Sequence, residues 1–202
     1  TITINPLPEV TAINGGDIYC VGQTINDICV EVTGTGPWTV TYQIDGGPDQ
    51  TASGAASPIC LGNGAGVYTV TGIVDATTCT NTASETDEII INPLPTVTSV
   101  TGGDIYCAGA TVDNILVNVT GASPWTVSYT LDGSVQTATG GASPISLGNA
   151  AGVYVLTGVE DASCTNTAIG SQTITINPLP EVTAINGGDT YCVGQTINDI
   201  CV

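Results

Sequence analysis

Eight cysteines and eighteen carboxylates hold the chemistry open to this chain, and no Lys, Arg or His stands beside them. Without His or Lys, a Ser or Thr nucleophile has no ordinary general base. Two carboxylates could serve a glycosidase-like pair, but nothing in the spacing singles out two of the eighteen. The residue types therefore argue against an enzyme. Cysteines can bridge one another or hold a metal. With no His, no C-x-x-C and candidate partners tens of residues apart, bridging is the better reading.

The cysteines follow an internal repeat. "NPLP" begins at Asn5, Asn92 and Asn177, giving units of 87 and 85 residues. "GGDIYC" recurs at Gly15 and Gly102, "PWTV" at Pro37 and Pro124, "AGVY" at Ala65 and Ala151, and "CTNTA" at Cys79 and Cys164. The first 30 residues return at 173–202 with one change, Ile18 against Thr190. An alternating array with a super-repeat of 172 residues is expected, of which this chain is a piece. The boundaries read as 1–4 for the last strand of a preceding domain, 5–91 and 92–176 for two full repeats, and 177–202 for the start of a third.

Unit one carries Cys20, Cys29, Cys60 and Cys79, whereas unit two keeps only Cys107 and Cys164. Cys29 and Cys60 vanish together, replaced by Leu116 and Ser146. Of the three pairings open to four cysteines, this joint loss favours Cys20–Cys79 with Cys29–Cys60, and Cys107–Cys164 in unit two. Cys192 and Cys201 match Cys20 and Cys29, and their partners are expected beyond residue 202. Disulfides imply an oxidising, extracellular setting.

A Cys20–Cys79 bond would bring Asp17 near Asp75, and Cys107–Cys164 would do the same for Asp104 and Asp161. Such pairs are the candidate Ca²⁺ ligands, against the plainer reading of "GGD" and "VDA" as turns in which Asp bonds its own backbone. The acidic "SETDE" cluster at Ser84–Glu88 has no counterpart in unit two and reads as a solvated edge. Rows of outward Thr suit a solvated strand face better than an ice-binding one.

The elements that position these groups are strands. "WTVTYQI" sets Trp38, Val40, Tyr42 and Ile44 on one face, and "WTVSYTL" repeats this with Trp125, Val127, Tyr129 and Leu131. "DICVEVTG" turns Ile28, Val30 and Val32 inward and Cys29 and Glu31 outward, while Asp45-Gly46 and Asp132-Gly133 supply turns. Six or seven short strands per unit, with no helical period, predict an all-β chain of tandem immunoglobulin-like β-sandwiches joined by short Pro-rich linkers. Trp38 and Trp125 are core residues in this reading, and Tyr68 and Tyr154 are placed for tyrosine corners. Pro6 and Pro8, Pro93 and Pro95, and Pro178 and Pro180 make stiff joints between beads, since each proline fixes φ and removes a donor.

The net charge of −18 and the lack of any cation exclude the usual means of holding nucleic acid or an anionic membrane. No apolar run approaches the ~18 residues of a membrane span.

The succession of "YC" in "GGDIYC", "PWTV", "AGVY", "DA" before "CTNT", and "INPLP" resembles repeat domains of very large Bacteroidota surface proteins. These are described as PKD-like or Ig-like and occur in gliding-motility adhesins of the SprB type and related type IX-secreted proteins. The resemblance covers both full units. It implies an extracellular, cell-surface stalk or filament whose partners are neighbouring repeats or lateral filaments, with binding left to other domains. A Ca²⁺-dependent module touching glycans or surfaces is the alternative. Each unit is expected to add roughly 35–40 Å, from strands of about eight residues at ~3.3 Å per residue plus loops and joint.

Overall fold

A computed structural model describes residues 4–201. Most of the expected strand at 1–4 therefore lies outside the described residues. The first repeat runs β1 (Glu9–Asn14), β2 (Asp17–Cys20), β3 (Ile28–Thr33), β4 (Trp38–Ile44), β5 (Gln50–Gly54), β6 (Ile59–Gly62), β7 (Gly66–Val74), β8 (Thr80–Thr82) and β9 (Thr86–Asn92). The second repeats the series as β10 (Thr96–Thr101), β11 (Ile105–Cys107), β12 (Ile115–Thr120), β13 (Trp125–Leu131), β14 (Ser134–Gly140), β15 (Ile145–Gly148), β16 (Gly152–Glu160), β17 (Thr165–Thr167) and β18 (Ser171–Asn177).

In each repeat a three-stranded sheet packs on a larger one. The small sheets run β1-β3-β6 and β10-β12-β15. The large sheets run β2-β9-β7-β4-β5 with β8 on β7, and β11-β18-β16-β13-β14 with β17 on β16. Period-two alternation decides which side chains meet between them. Val30, Val40, Val70, Ile59 and Ile73 are buried in the first repeat. Ile115, Val117, Val127, Leu156 and Ile174 are buried in the second. Each such side chain contributes about 1.5–3 kcal/mol on leaving water.

The turn between β13 and β14 has only Asp132 and Gly133, with φ of 50° and 83°. Two successive left-handed residues match the right-handed twist of the strands they join, which is why Asp-Gly stands there. Asp132 also acts through its side chain. Its Oδ1 accepts the Val153 amide at 2.8 Å, and Asp45 does the same for Val67 at 2.9 Å.

One pairing was not anticipated by the strand pattern. β2 lies parallel to β9, with Asp17 opposite Ile89 and Cys20 opposite Asn92. β11 and β18 repeat the arrangement, with Cys107 opposite Asn177. After Asn177 the described chain holds a single isolated bridge, Asn186 to Cys201. It reproduces the Asn14–Cys29 partnership at the end of the β1–β3 ladder.

Two compact units divide the chain: Thr1–Pro95 with Glu160–Asn166, and Thr96–Val159 with Thr167–Val202. The segment around Cys164 therefore belongs to the unit built by the first repeat.

Candidate functional site

The cysteines come first, because they fix what the rest can do. Cys29 and Cys60 are directly opposite in the antiparallel β3–β6 pair, with Cα atoms 3.9 Å apart, and they are bonded. Both strands turn them away from the core, which is formed by Ile28, Val30 and Ile59. This is a cross-strand staple on an outer face.

Cys20 is bonded to Cys164, 144 residues away, at an S–S distance of 2.03 Å. The expected Cys20–Cys79 and Cys107–Cys164 bonds are not formed, and Cys79 and Cys107 are free thiols. Register gives the reason. Cys20 sits level with Asn92, three residues beyond Ile89, which faces Gly66 at the start of β7. Cys79 follows the other end of β7, where Val74 faces Thr80. About a dozen strand residues separate the two levels, or about 35–40 Å at ~3.3 Å per residue. A disulfide needs Cα atoms within ~7 Å. Cys20 and Cys79 occupy opposite poles of one sandwich and cannot meet. In the second repeat Cys107 lies level with Asn177, beyond the Ile174–Gly152 pair, while Cys164 follows the far end of β16. Cys192 and Cys201 are also free and exposed.

The candidate metal pairs fail with the bonds that would have assembled them. Asp75 and Asp161 are buried, and each closes its own turn. Asp75 Oδ1 accepts the Thr77 amide at 2.8 Å, the Thr77 hydroxyl at 2.7 Å and the Cys79 amide at 3.1 Å. Asp161 Oδ1 accepts the Ser163 and Cys164 amides at 2.8 and 2.7 Å. The Thr77 hydroxyl, reinforced by backbone groups of Thr77, Cys79 and Thr35, lowers the Asp75 pKa against the opposing effect of burial. Asp17 and Asp104 lie near the other poles, exposed, and each accepts the next residue's amide at 2.7 Å. Among the described residues no three of His, Cys, Asp and Glu gather where they could hold an ion. Asp75 and Asp161 shape the loops that present Cys79 and Cys164, and the structure does not bring Asp17 to Asp75 or Asp104 to Asp161. In the "SETDE" cluster, Asp87 holds structure together by accepting the Gly16 amide at 2.8 Å.

The prolines of the joint divide the labour. Pro6 and Pro93 are exposed, but Pro8 and Pro95 are buried. The Pro8 carbonyl accepts Asn81 Nδ2 at 3.0 Å, and the Pro95 carbonyl accepts Asn166 Nδ2 at 2.9 Å. Asn81 and Asn166 are functional residues that sequence reasoning missed. The signal available was the matched "CTNTA", whose polar Asn occurs in both copies. Pro178 and Pro180 are exposed.

The aromatic residues hold the scaffold. Tyr68 donates to the Gly64 carbonyl at 3.1 Å and Tyr154 to the Ala150 carbonyl at 3.0 Å, four residues back in each case. That is tyrosine-corner geometry. Tyr68 stacks on Tyr42 and Tyr154 on Tyr129, with centroids 6.1 and 5.8 Å apart. Burial raises the pKa of both Tyr68 and Tyr154. Trp38 Nε1 donates to the Thr33 carbonyl at 3.1 Å, whereas Trp125 Nε1 is buried with no partner among the described residues.

Paired sheets, corner tyrosines and a repeated strand order define tandem immunoglobulin-like β-sandwiches. Two structures of the titin I-band fragment I67–I69, one an E-to-A variant, share this architecture at TM-scores of 0.55 and 0.56 and 13% and 14% identity. They cover 85% and 87% of this chain, which spans 66% and 67% of their own lengths. A 1.5-MDa bacterial ice-binding adhesin is a looser likeness, with a TM-score of 0.45 at 15% identity over 92% of this chain and 70% of that one. No family model and no curated protein matches the chain.

Proposed function

We propose that this chain is a segment of a large extracellular repeat protein and serves as a stiff spacer, holding other domains away from a surface without catalysis of its own. The observation that carries this reading is the Cys20–Cys164 bond. With it, the first and second repeats are joined twice: once by the peptide through Pro93, Leu94 and Pro95, and once by sulfur. On this reading the second tie limits the swivel that one short linker leaves. The buried Pro8 and Pro95, with their carbonyls tied to Asn81 and Asn166, support the same reading from the peptide side.

Two further features fit a surface stalk. Disulfides persist in an oxidising, extracellular setting. A surface with carboxylates and no cations repels copies of itself, which keeps neighbouring strands of such a protein apart and soluble. The resemblance to Bacteroidota surface repeats supports a role at a cell surface, in proteins of the gliding-adhesin kind.

Small-angle scattering of the oxidised chain tests the reading. Each full repeat should add roughly 35–40 Å to an elongated particle. Replacing Cys20 with Ser should broaden the distribution of interdomain distances while both sandwiches stay folded. A compact particle, or a distribution indifferent to that bond, refutes the spacer role.

A further inference from the structure

Cys79 and Cys107 are left over by the bond just described, and their positions say what they are for. Cys107 is the register-matched counterpart of Cys20: each ends "GGDIYC", and each stands opposite the Asn of the following "NPLP" in a parallel strand pair. Cys79 is the counterpart of Cys164: each precedes "TNTA", and each has its amide held by the Asp that opens its loop. The chain thus presents one bonded pair, Cys20 with Cys164, and one unbonded copy of each member.

We infer that Cys107 and Cys79 are the two open halves of the same inter-repeat bond, each a covalent docking site for a further copy of this repeat. Cys107 takes a Cys79-type cysteine from a following copy, and Cys79 takes a Cys20-type cysteine from a preceding one. The Cys20–Cys164 bond is the independent observation behind this, since equivalent residues in equivalent loops already make it. Among the described residues neither has an open partner in its own sandwich, because the two cysteine positions lie at opposite poles. Every joint of an array built from these two repeat types is then bridged once, although each sandwich holds no bond of its own between these positions. The contact is head to tail, so the same bond can recur from copy to copy.

The chemistry is thiol–disulfide exchange with a small disulfide such as oxidised glutathione. The Cys107 thiolate attacks one of its sulfurs, forming a mixed disulfide and releasing one glutathione thiol. The Cys79 thiolate of the next copy then displaces the second. Two protein thiols are oxidised to one disulfide, and one glutathione disulfide is reduced to two thiols. Cys79 is half-buried, its sulfur 3.2 Å from the Thr77 hydroxyl oxygen, whereas Cys107 is exposed. Cys107 is therefore the sulfur that reacts first.

The inference goes beyond the spacer reading and is judged by mass, while that reading is judged by scattering, so either can fail alone. The test uses the whole chain with Cys192→Ser and Cys201→Ser, which silence the remaining free thiols. Oxidised in glutathione buffer, it should give a concentration-dependent ladder on a non-reducing gel. Asp-N peptides, which separate all of these cysteines, should join Cys79 of one chain to Cys107 of another, with Cys20–Cys164 kept in every band as the marker of the fold. Adding Cys79→Ser or Cys107→Ser singly should abolish the ladder. Mixing those two variants should restore one band, the dimer, through the Cys79 and Cys107 that each retains. Like-with-like bonds, no dimer in the mixture, or peptides joining Cys20 to Cys79 would overturn it.

Discussion

Replacing Cys29 with Leu and Cys60 with Ser gives the first repeat the pair that the second carries at the same places, Leu116 and Ser146. Leu116 is half-buried and Ser146 exposed in the β12–β15 pair, directly opposite each other like the cysteines they replace. No cavity and no buried polar group should follow, so the change isolates the cost of opening the loop. That loop has a sequence separation of 31. The chain-entropy relation puts its closure at about 3.7 kcal/mol at 25 °C. A urea slope of ~1–2 kcal/mol per molar, suited to a small domain, turns this into a midpoint lowered by about 2–4 M.

The two tryptophans make the assay specific, because Trp38 lies in β4 and Trp125 in β13. Fluorescence from a Trp125→Phe background reports the first repeat, and from a Trp38→Phe background the second. The cores of the two repeats share no residue, so the second transition should hold within about 0.5 kcal/mol. A loss under ~1 kcal/mol in the first repeat, or equal losses in both, would refute the reasoning.

Tyr68→Phe deletes the hydroxyl that reaches the Gly64 carbonyl and should cost about 1–2 kcal/mol in the Trp38-reported transition, with no change in the other. An unchanged midpoint would remove the corner from the interactions that hold the fold. The lowered pKa of Asp75 means the native state binds fewer protons there than the unfolded state. Its contribution is present above the unfolded value of about 3.9 and is lost as pH falls through the native one. Asp75→Asn should flatten the acid limb of stability against pH, and an equally steep limb in the variant would count against this. Tyr68 and Tyr154 act with the opposite sign: raised by burial, they contribute below the unfolded phenol value of about 10, and that contribution is lost as pH rises through their native values. Calcium and EDTA should each leave the melting temperature unchanged, since Asp17 and Asp75 are not gathered; a calcium-induced rise of several degrees would reopen the metal reading.

The alternation in "DICVEV" and "WTVTYQI" is strong enough to read a half-buried strand from six or seven residues, and the fold class follows from such stretches recurring with turns between them. Short polar strands escape this logic. "TNT" at β8 and β17 has no apolar side to alternate, and "DIYC" at β2 follows a Gly-Gly that reads as the start of a turn. β2 decides the cysteine pairing, because its parallel position against β9 sets the pole at which Cys20 lies. Counting cysteines cannot supply that information. Cys20 and Cys79 types occur in both repeats, so their numbers agree equally with a bond inside one repeat and a bond between two. The carboxylate pairs rest on that bond and on nothing else, so they part with it.

The parallel ladder has a mechanical consequence. Chain enters the first sandwich at Pro8 and leaves it after Asn92, while β2 and β9 are held by the four pairs from Asp17–Ile89 to Cys20–Asn92. Tension between entry and exit drags these strands along each other, so their hydrogen bonds bear load side by side instead of peeling in turn. The sulfur at Cys20 ends that ladder and opens a covalent route from Pro8 along β2 to Cys164 that skips it, so the ladder bears shear only when that bond is open.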